Sequence, residues 1–169
     1  MNSAEAIKRS FPPAADARTR VLILGSLPGE ASLAAAQYYA HPQNQFWRLA
    51  GEVVRADLRA LSYPERLAAL LAAGVGLWDV IESGRRRGSL DTAIRDPSAN
   101  PLAEFADTLP ALRAVAFNGG KAAALGRKLL EGRPGLALIA LPSSSPAYTA
   151  PFATKAAQWI QLQRLLGSG

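Results

Sequence analysis

The stretch Val21-Leu22-Ile23-Leu24-Gly25 says most about the fold class of this chain. It is a short apolar run that ends in glycine, a pattern typical of a strand buried on both faces of a parallel sheet. Three similar runs follow at residues 75–81, 114–117 and 136–141. The sequence therefore predicts about four buried strands in one sheet.

Segments with helical character lie between the predicted strands. Residues 46–54 carry apolar side chains at helical spacing. Ser62 and Glu65 have the spacing of a capping box, which begins a second helix that ends at Gly74. Further helices are predicted over residues 102–112, 121–130 and 152–166. This alternation predicts a three-layer α/β/α domain with a mostly parallel central sheet of about four strands.

The length and composition favour one cytoplasmic domain. The chain has 169 residues, 49% of them hydrophobic, enough for a single domain with its own core. Residues 1–20 are predicted to be an extended lead-in, because Pro12 and Pro13 block a helix. No apolar run approaches the roughly 20 residues of a bilayer span, and the N-terminus lacks the pattern of a signal peptide. We therefore expect no membrane contact.

Charge and the rarity of soft ligands narrow the chemistry further. The chain has 19 Lys and Arg against 13 Asp and Glu, a net charge of +6, which favours a polyanionic partner such as nucleic acid. With no cysteine and one histidine, it cannot form a thiolate zinc site or a cysteine-ligated iron–sulfur cluster. We therefore expect chemistry that needs neither a metal nor a cofactor.

Glycine, serine, proline and polar residues concentrate directly after the predicted strands, at 25–29, Asp79, 118–121 and 142–146. Ligand sites of open α/β sheets lie beyond the carboxyl ends of the strands, so one crevice is expected there. The first of these segments is not a dinucleotide-binding motif, because Pro28 stands where the backbone must approach a phosphate closely. Without a Gly-Lys-Ser/Thr sequence, it is not a phosphate-binding loop either.

Residues 25–33, GSLPGEASL, and residues 38–47, YYAHPQNQFW, resemble the first motif region of the uracil-DNA glycosylase superfamily. The closest branch is that of the hypoxanthine-DNA glycosylases, followed by the mismatch-specific uracil/thymine glycosylases. The resemblance continues through residues 74–81, 88–91, 117–119 and 141–147. It implies an α/β/α glycosylase fold and a monomeric, monofunctional DNA glycosylase. Such an enzyme flips a deaminated base out of double- or single-stranded DNA, hypoxanthine first and uracil or xanthine next, and hydrolyses its N-glycosidic bond.

Two positions depart from better-known branches of the superfamily. Leu27 stands where the mismatch-specific branch has a water-positioning Asn, and Ser143 stands where another branch has a base-stabilising His. Both departures are expected in the hypoxanthine branch. There the Asn of the H-P-x-N-x-F-W block is implicated in catalysis, which assigns that role to Asn44. Its alternative role is to cap the helix over 46–54.

An asparagine is chemically adequate for this reaction. Cleavage of an N-glycosidic bond passes through an oxocarbenium-like sugar, so the enzyme must stabilise a departing anionic base and hold a water against C1′. An amide oxygen orients water, and an amide NH₂ binds a base or a phosphate. His41, the one histidine, is expected to hold its loop by hydrogen bonds rather than to act as a general base.

The resemblance also assigns base-binding residues. Tyr39 corresponds to an aromatic side chain that stacks on the extruded base, and Ser26, Leu27 and Asn118 are assigned to base binding. Asp79 ends the second strand where uracil-specific relatives read the base. The resemblance thus implies that its carboxylate reads the base by accepting from a ring N–H of hypoxanthine, and in that role it is expected to orient water as well. The alternative for Asp79 is a helix cap or an ion pair with the Arg85-Arg86-Arg87 run.

Two groups of residues are assigned to DNA contacts. The first is the loop expected to enter the minor groove: Ser143, Ser144, Ser145, Pro146, Ala147 and Tyr148. Relatives often have a Leu wedge in that loop, but this chain has Ala147 beside Tyr148. The second group is expected to contact phosphates. It consists of Lys121 and the arginine run 85–87, of which Arg86 is the residue assigned to DNA binding.

Two alternative functions stay open at the level of sequence. One is a mismatch-specific uracil or thymine glycosylase. The other is a catalytically silent nucleic-acid binder, which the missing Asn at Leu27 favours and which the presence of Asn44, Tyr39 and Asp79 together disfavours.

Overall fold

A computed structural model of the protein describes residues 6–167. The strands of this part are β1 (Ile7–Arg9), β2 (Val21–Gly25), β3 (Val75–Asp79), β4 (Ile81–Arg85), β5 (Arg95–Ala99), β6 (Ala114–Asn118) and β7 (Ala137–Leu141). β3, β2, β6 and β7 form the central sheet, in that order, and every neighbouring pair is parallel. The predicted four-stranded parallel sheet is therefore confirmed.

Helices cover both faces of the central sheet. The α-helices are α1 (Glu30–Ala35), α2 (Phe46–Val54), α3 (Tyr63–Ala72), α4 (Leu102–Asp107), α5 (Gly120–Leu130), α6 (Phe152–Trp159) and α7 (Gln163–Leu166). Short 3₁₀ turns lie at Leu58–Ala60, Asp91–Ala93 and Ile160–Leu162. The predicted capping box begins α3, since Ser62 Oγ accepts from the Glu65 N–H at 3.3 Å and Glu65 Oε1 accepts from the Ser62 N–H at 3.0 Å.

The core has two layers, one on each face of the sheet. Along β2, Val21 and Ile23 point into the layer with α2, α3 and α6, whereas Leu22 and Leu24 point into the layer with α4 and α5. This follows from the two-residue period of a strand, which sends neighbouring side chains to opposite faces. The predicted three-layer α/β/α architecture is confirmed.

A second, three-stranded antiparallel sheet was not predicted. The apolar run 75–81 is not one strand: β3 ends at Asp79, and the chain turns at Val80 into β4. The backbone N–H of Val80 donates to the Gly25 carbonyl at 2.8 Å. β4 then pairs antiparallel with β1 and β5. The one polar residue of the run, Asp79, stands directly before this turn, and apolar residues continue on both sides of it.

The predicted lead-in, residues 1–20, takes part in the fold where it is described. Residues 7–9 form β1 on the small sheet, and Ala14 bridges Leu77 of β3. Residues 1–5 lie outside the described part of the chain. No helix within residues 6–167 is long and apolar enough to cross a membrane.

The predicted helix 102–112 is shorter than its apolar pattern suggests. α4 ends at Asp107, because Pro110 disfavours a helical backbone at the residue before it. The strand β6 that follows ends in Asn118, at the edge of the sheet that carries the polar loops.

Candidate active site

The carboxyl ends of the parallel strands bring the polar loops to one edge. Gly25 at the end of β2 is in register with Asp79 at the end of β3. Asn118 at the end of β6 is in register with Leu141 at the end of β7. The segment 25–29 after β2, called the glycine turn below, therefore lies between the loops that follow the neighbouring strands.

Gly25 leaves room for two polar side chains. A Cβ atom on this residue would lie 2.8 Å from Asp79 Oδ1 and 2.9 Å from Tyr39 Oη. Any side chain at position 25 would therefore displace one of these oxygens. The acid and the phenol, which are 40 residues apart in sequence, meet over the backbone of the glycine turn.

Asp79 is a buried acid at the end of β3, beside the glycine turn. Only 4% of its surface is exposed, and its Oδ2 has no hydrogen-bond partner within residues 6–167. Burial raises the pKa of Asp79 to about 7, the negative charge of Asp91 raises it as well, and the Arg86 guanidinium opposes both. Asp79 therefore has a free acceptor atom and a pKa close to neutrality.

Tyr39 stacks on a neighbour and has an unpartnered hydroxyl. Its ring lies parallel to Phe46, with 3.9 Å between centroids, and its backbone has a φ of +54°. Few residues other than glycine adopt this left-handed conformation, and such strain clusters at functional sites. Its buried Oη has no partner within the described part of the chain, and burial raises the pKa of this phenol.

Asn44 makes a side-chain hydrogen bond to the start of α2, although the N-cap residue itself is Gln45. Asn44 Oδ1 accepts from the backbone N–H of Phe46, the first residue of α2, at 2.9 Å. Its side-chain NH₂ makes no hydrogen bond to any residue that the structure describes. His41 holds the same loop, because its Nδ1 accepts from the Gln43 N–H at 3.1 Å and its carbonyl accepts from the Asn44 N–H at 3.0 Å. The structural role expected for His41 is confirmed.

Asn118 and Ser144 clamp the loop 143–148 to the sheet. Asn118 Nδ2 donates to Ser144 Oγ and Asn118 Oδ1 accepts from the Ser144 N–H, both at 2.9 Å. Both residues are buried. The loop is also joined to the Asn44 segment, since the Gln45 N–H donates to the Ser144 carbonyl at 2.9 Å. The Asn118 amide, assigned to base binding by the sequence, is thus engaged in the loop clamp.

The loop 143–148 presents its second half to solvent. Ser143 and Ser145 accept from the backbone N–H groups two residues further on, at 3.1 Å each. Pro146, Ala147 and Tyr148 are exposed.

Lys155 of α6, which the sequence did not single out, supports this loop from below. The side chain is almost fully buried. Its Nζ donates to the Ser145 carbonyl at 3.3 Å and lies 5.2 Å from the centroid of the Tyr148 ring. Burial lowers its pKa. Lys155 stands four residues before the buried Trp159 and therefore on the same helix face. This spacing is the feature of the sequence that could have indicated its burial.

Arg86 does not lie where the sequence predicts. The prediction places it on an exposed loop, as a phosphate contact, whereas only 1% of its surface is exposed. Its Nη2 donates to the Pro28 carbonyl, and its Nε and Nη1 have no partner among residues 6–167. Burial lowers its pKa, while Asp91, Glu30 and Asp79 raise it. Arg86 is therefore a buried cation behind the glycine turn, and its two neighbours in the run are exposed.

The glycine turn itself offers unpaired backbone donors rather than side chains. Leu27 packs with Ile81 and Ile94 in a small buried cluster, and Ser26 Oγ donates to Asp91 Oδ1 at 2.6 Å. The backbone N–H groups of Ser26 and Leu27 make no hydrogen bond within the described residues. Asp91 is a site residue that sequence reasoning missed, although it ends the 88–91 segment of the resemblance.

Lys121 is the remaining predicted contact. It is partly exposed in the first turn of α5. Gly119, two residues before it, has a φ of +101°, and a Cβ atom there would lie 3.2 Å from Ser143 Cβ. The start of α5 is therefore packed close to the loop 143–148. Taken together, the edge carries an unpartnered acid, phenol, amide and two backbone donors, which suits the binding of a polar planar group.

Comparisons with known proteins identify the family of this chain. A family model described as the uracil DNA glycosylase superfamily matches residues 12–165. A hypoxanthine DNA glycosylase from Methanosarcina barkeri is 47% identical over 114 residues, which are 68% of this chain and 72% of that protein. The protein of the same name from Methanosarcina acetivorans is 43% identical over 141 residues, which are 83% and 88% of the two chains.

The fold also matches a solved structure. A Methanosarcina acetivorans protein studied by solution NMR, described as a uracil DNA glycosylase, has a TM-score of 0.85 and 39% identity, over 95% of this chain and 99% of that one. The family match and both relatives cover more than two thirds of the chain. This protein therefore belongs to the uracil-DNA glycosylase superfamily.

Proposed function

We propose that this protein is a monofunctional DNA glycosylase that hydrolyses the N-glycosidic bond of deoxyinosine and releases hypoxanthine. The observation that carries the proposal is the 43% identity to a hypoxanthine DNA glycosylase over 83% of the chain. The chemistry of the site supports it, because hypoxanthine presents a ring N–H beside a carbonyl. Such an edge needs one acceptor and one or two donors.

Asp79 and the glycine turn supply these groups. The unpartnered Oδ2 of Asp79 accepts from the ring N–H, and the unpaired N–H groups of Ser26 and Leu27 donate to the carbonyl. Adenine, which has an acceptor nitrogen and an amino group at these positions, would meet an acceptor and donors in the wrong places. A mismatched buried polar group costs about 1–3 kcal/mol, enough to reject the normal base.

Asn44 and the buried charge of Arg86 act on the reaction itself. The Asn44 NH₂ is available to hold a water or the departing base, while its Oδ1 caps α2. The base leaves with a negative charge, which a cation in a buried environment stabilises more strongly than one in water. Arg86 supplies such a charge without touching the DNA. The ring of Tyr39, which stacks on Phe46, packs against the extruded base.

The DNA contacts are assigned to the rim of this edge. The loop 143–148 enters the minor groove, and Lys121 binds a phosphate. The net charge of +6 favours DNA at low salt. Like the activity, the monomeric state and a cytoplasmic place of action are proposals, and the oligomeric state is tested by light scattering with and without a DNA duplex.

An activity panel tests the function. Duplexes with a single inosine, uracil, xanthine or mismatched thymine are incubated with the protein and treated with alkali, and the released base is identified by mass spectrometry. We expect hypoxanthine release to be fastest, and an Asn44→Ala variant controls for a contaminating glycosylase. Binding without any base release would instead favour a catalytically silent relative.

A second candidate is a uracil- or thymine-specific glycosylase. It is favoured by the solved relative described as a uracil DNA glycosylase. Uracil has the same N–H beside a carbonyl, so the recognition by Asp79 applies to it as well. The same panel separates the candidates, because this one requires uracil or mismatched thymine to be released faster than hypoxanthine.

A further inference from the structure

Leu90 is an exposed leucine next to the glycine turn, and 56% of its surface is exposed. Both of its neighbours are tied to residues of the turn or just after it. The Glu30 N–H donates to Ser89 Oγ at 2.9 Å, and Ser26 Oγ donates to Asp91 Oδ1 at 2.6 Å. Leu90 thus lies between two anchored residues, at the edge of the sheet that carries Asp79.

The position of Leu90 is not a consequence of a loose loop. A Cβ atom on Gly29 would lie 3.2 Å from Ser89 Oγ, so the glycine turn packs closely against this segment. Leu90 has an extended backbone and directly precedes the 3₁₀ turn Asp91–Ala93. A buried apolar cluster of Leu27, Ile81 and Ile94 lies in the same region, yet the Leu90 side chain stays in solvent. Single exposed apolar residues are ordinary on protein surfaces; what distinguishes Leu90 is that both of its neighbours are anchored beside the glycine turn.

Leu90 and Tyr148 are exposed side chains at separate places along the carboxyl edge of the sheet. In the strand order β3-β2-β6-β7, the turn to which the neighbours of Leu90 are anchored follows β2, and the loop with Tyr148 follows β7. Tyr148 is 50% exposed. We expect a duplex that lies along this edge to contact both side chains.

We propose that Leu90 inserts into the DNA stack and fills the space that the extruded base leaves. The inference rests on the proposed glycosylase function. An apolar wedge offsets the loss of stacking when a base is flipped, and Ala147 in the loop 143–148 is too small for this task. The exposed Arg87 in the same segment and the net charge of +6 favour DNA as the occupant of this surface.

The test compares two exposed leucines. Leu90→Ala is the probe, and Leu129→Ala is its matched control, since Leu129 is also exposed but lies near the far end of α5 from the site. Both variants are measured for thermal unfolding and single-turnover release of hypoxanthine from a duplex and from a single strand. 2-Aminopurine placed beside the inosine reports base extrusion by its fluorescence.

We expect Leu90→Ala to slow release from the duplex by about tenfold or more and to reduce the 2-aminopurine signal. On the single strand it should match the wild type, because no stack has to be filled. If the protein does not release the base from the single strand, the dissociation constants of the variants for that strand are compared instead of their rates. Leu90→Met should restore most of the duplex rate, and Leu129→Ala should change nothing.

Equal duplex rates for Leu90→Ala and Leu129→Ala would overturn the inference. So would an equal loss on the duplex and the single strand, which would indicate a general contact. A wild-type protein that releases no base from any substrate would contradict the proposed function instead. The 2-aminopurine signal on binding would then still show whether Leu90 enters the stack.

Discussion

At the scale of single residues, the site depends on polar atoms that the fold leaves without partners. Asp79 Oδ2, Tyr39 Oη and two Arg86 nitrogens are buried and unpaired within residues 6–167. Buried polar groups are nearly always hydrogen-bonded, and exceptions call for an explanation such as a ligand. In the proposed function a bound base is the partner of Asp79 Oδ2, whereas the Arg86 nitrogens stay behind the glycine turn as a buried charge.

The pH dependence of catalysis should follow Asp79. Burial raises its pKa to about 7, so the carboxylate that accepts from the ring N–H predominates only above that pH. The single-turnover rate should therefore fall as the pH decreases through about 7. Asp79→Asn should abolish this dependence and lower the rate at pH 8 by roughly 10- to 100-fold. An unchanged pH profile in the variant would show that another group titrates.

The ionised form of Asp79 should lower the free energy of unfolding at high pH. A carboxyl whose pKa is raised on folding binds protons more tightly in the native state, so stability decreases as the pH rises from about 4 to about 7. Asp79→Asn should raise the unfolding free energy at pH 8 by about 1–3 kcal/mol and have little effect at pH 4. Urea unfolding at both pH values measures this. A variant that is less stable at pH 8 would contradict the prediction.

Asn44 should be more than a helix cap. Asn44→Ala should slow single-turnover release by about 100- to 1,000-fold with little loss of DNA binding. Asn44→Asp and Asn44→Ser keep an oxygen for the Phe46 N–H but lack the NH₂ group. If catalysis needs the NH₂, both should be as slow as the alanine variant while α2 keeps its stability. Full activity in either would reduce Asn44 to its capping role.

At the scale of elements, loops 143–148 and 25–29 are held by contacts to the strand ends. The paired hydrogen bonds between Asn118 and Ser144 join β6 to the loop after β7. The hydrogen bond from Arg86 to Pro28 joins the end of β4 to the loop after β2. The carboxyl edge of the sheet is thus a preorganised frame rather than a set of free loops.

Removing the loop clamp should affect stability and binding together. Asn118→Ala leaves the buried Ser144 N–H and hydroxyl unpaired, which should cost about 1–3 kcal/mol of unfolding free energy. DNA affinity should fall because the loop 143–148 loses its anchor, while the ratio of inosine to uracil rates stays constant. A changed ratio would show that Asn118 contacts the base directly.

At the scale of the whole molecule, the charge distribution governs DNA binding. The slope of log Kd against log salt concentration changes by about 0.9 for each phosphate neutralised. Lys121→Gln should reduce this slope by about one and weaken binding to all sequences alike. Lys128→Gln is the matched control, because Lys128 is exposed in the last turn of the same helix. Equal slopes for both variants would remove Lys121 from the DNA surface.

The large-scale fold was predictable because its signals are local. Four apolar runs and a capping box indicate the central sheet and its helices, and a parallel sheet brings its carboxyl ends to one edge. The small sheet was not predictable in this way. β1 pairs with β4 across more than 70 residues, and the turn at Val80 lies inside a run of which Asp79 is the one charged residue.

The sequence therefore accounts for the α/β/α architecture, the edge of the sheet that carries the site, and the positions of Asn44, Tyr39 and Asp79 at or near that edge. It could not reveal that Arg86 is buried behind the glycine turn, that Asn118 is engaged by Ser144, or that Leu90 is anchored in solvent. Patterns of apolar residues act over a few neighbours and survive in the sequence. The surroundings of a polar side chain depend on residues from distant segments, and these meet only in the folded chain.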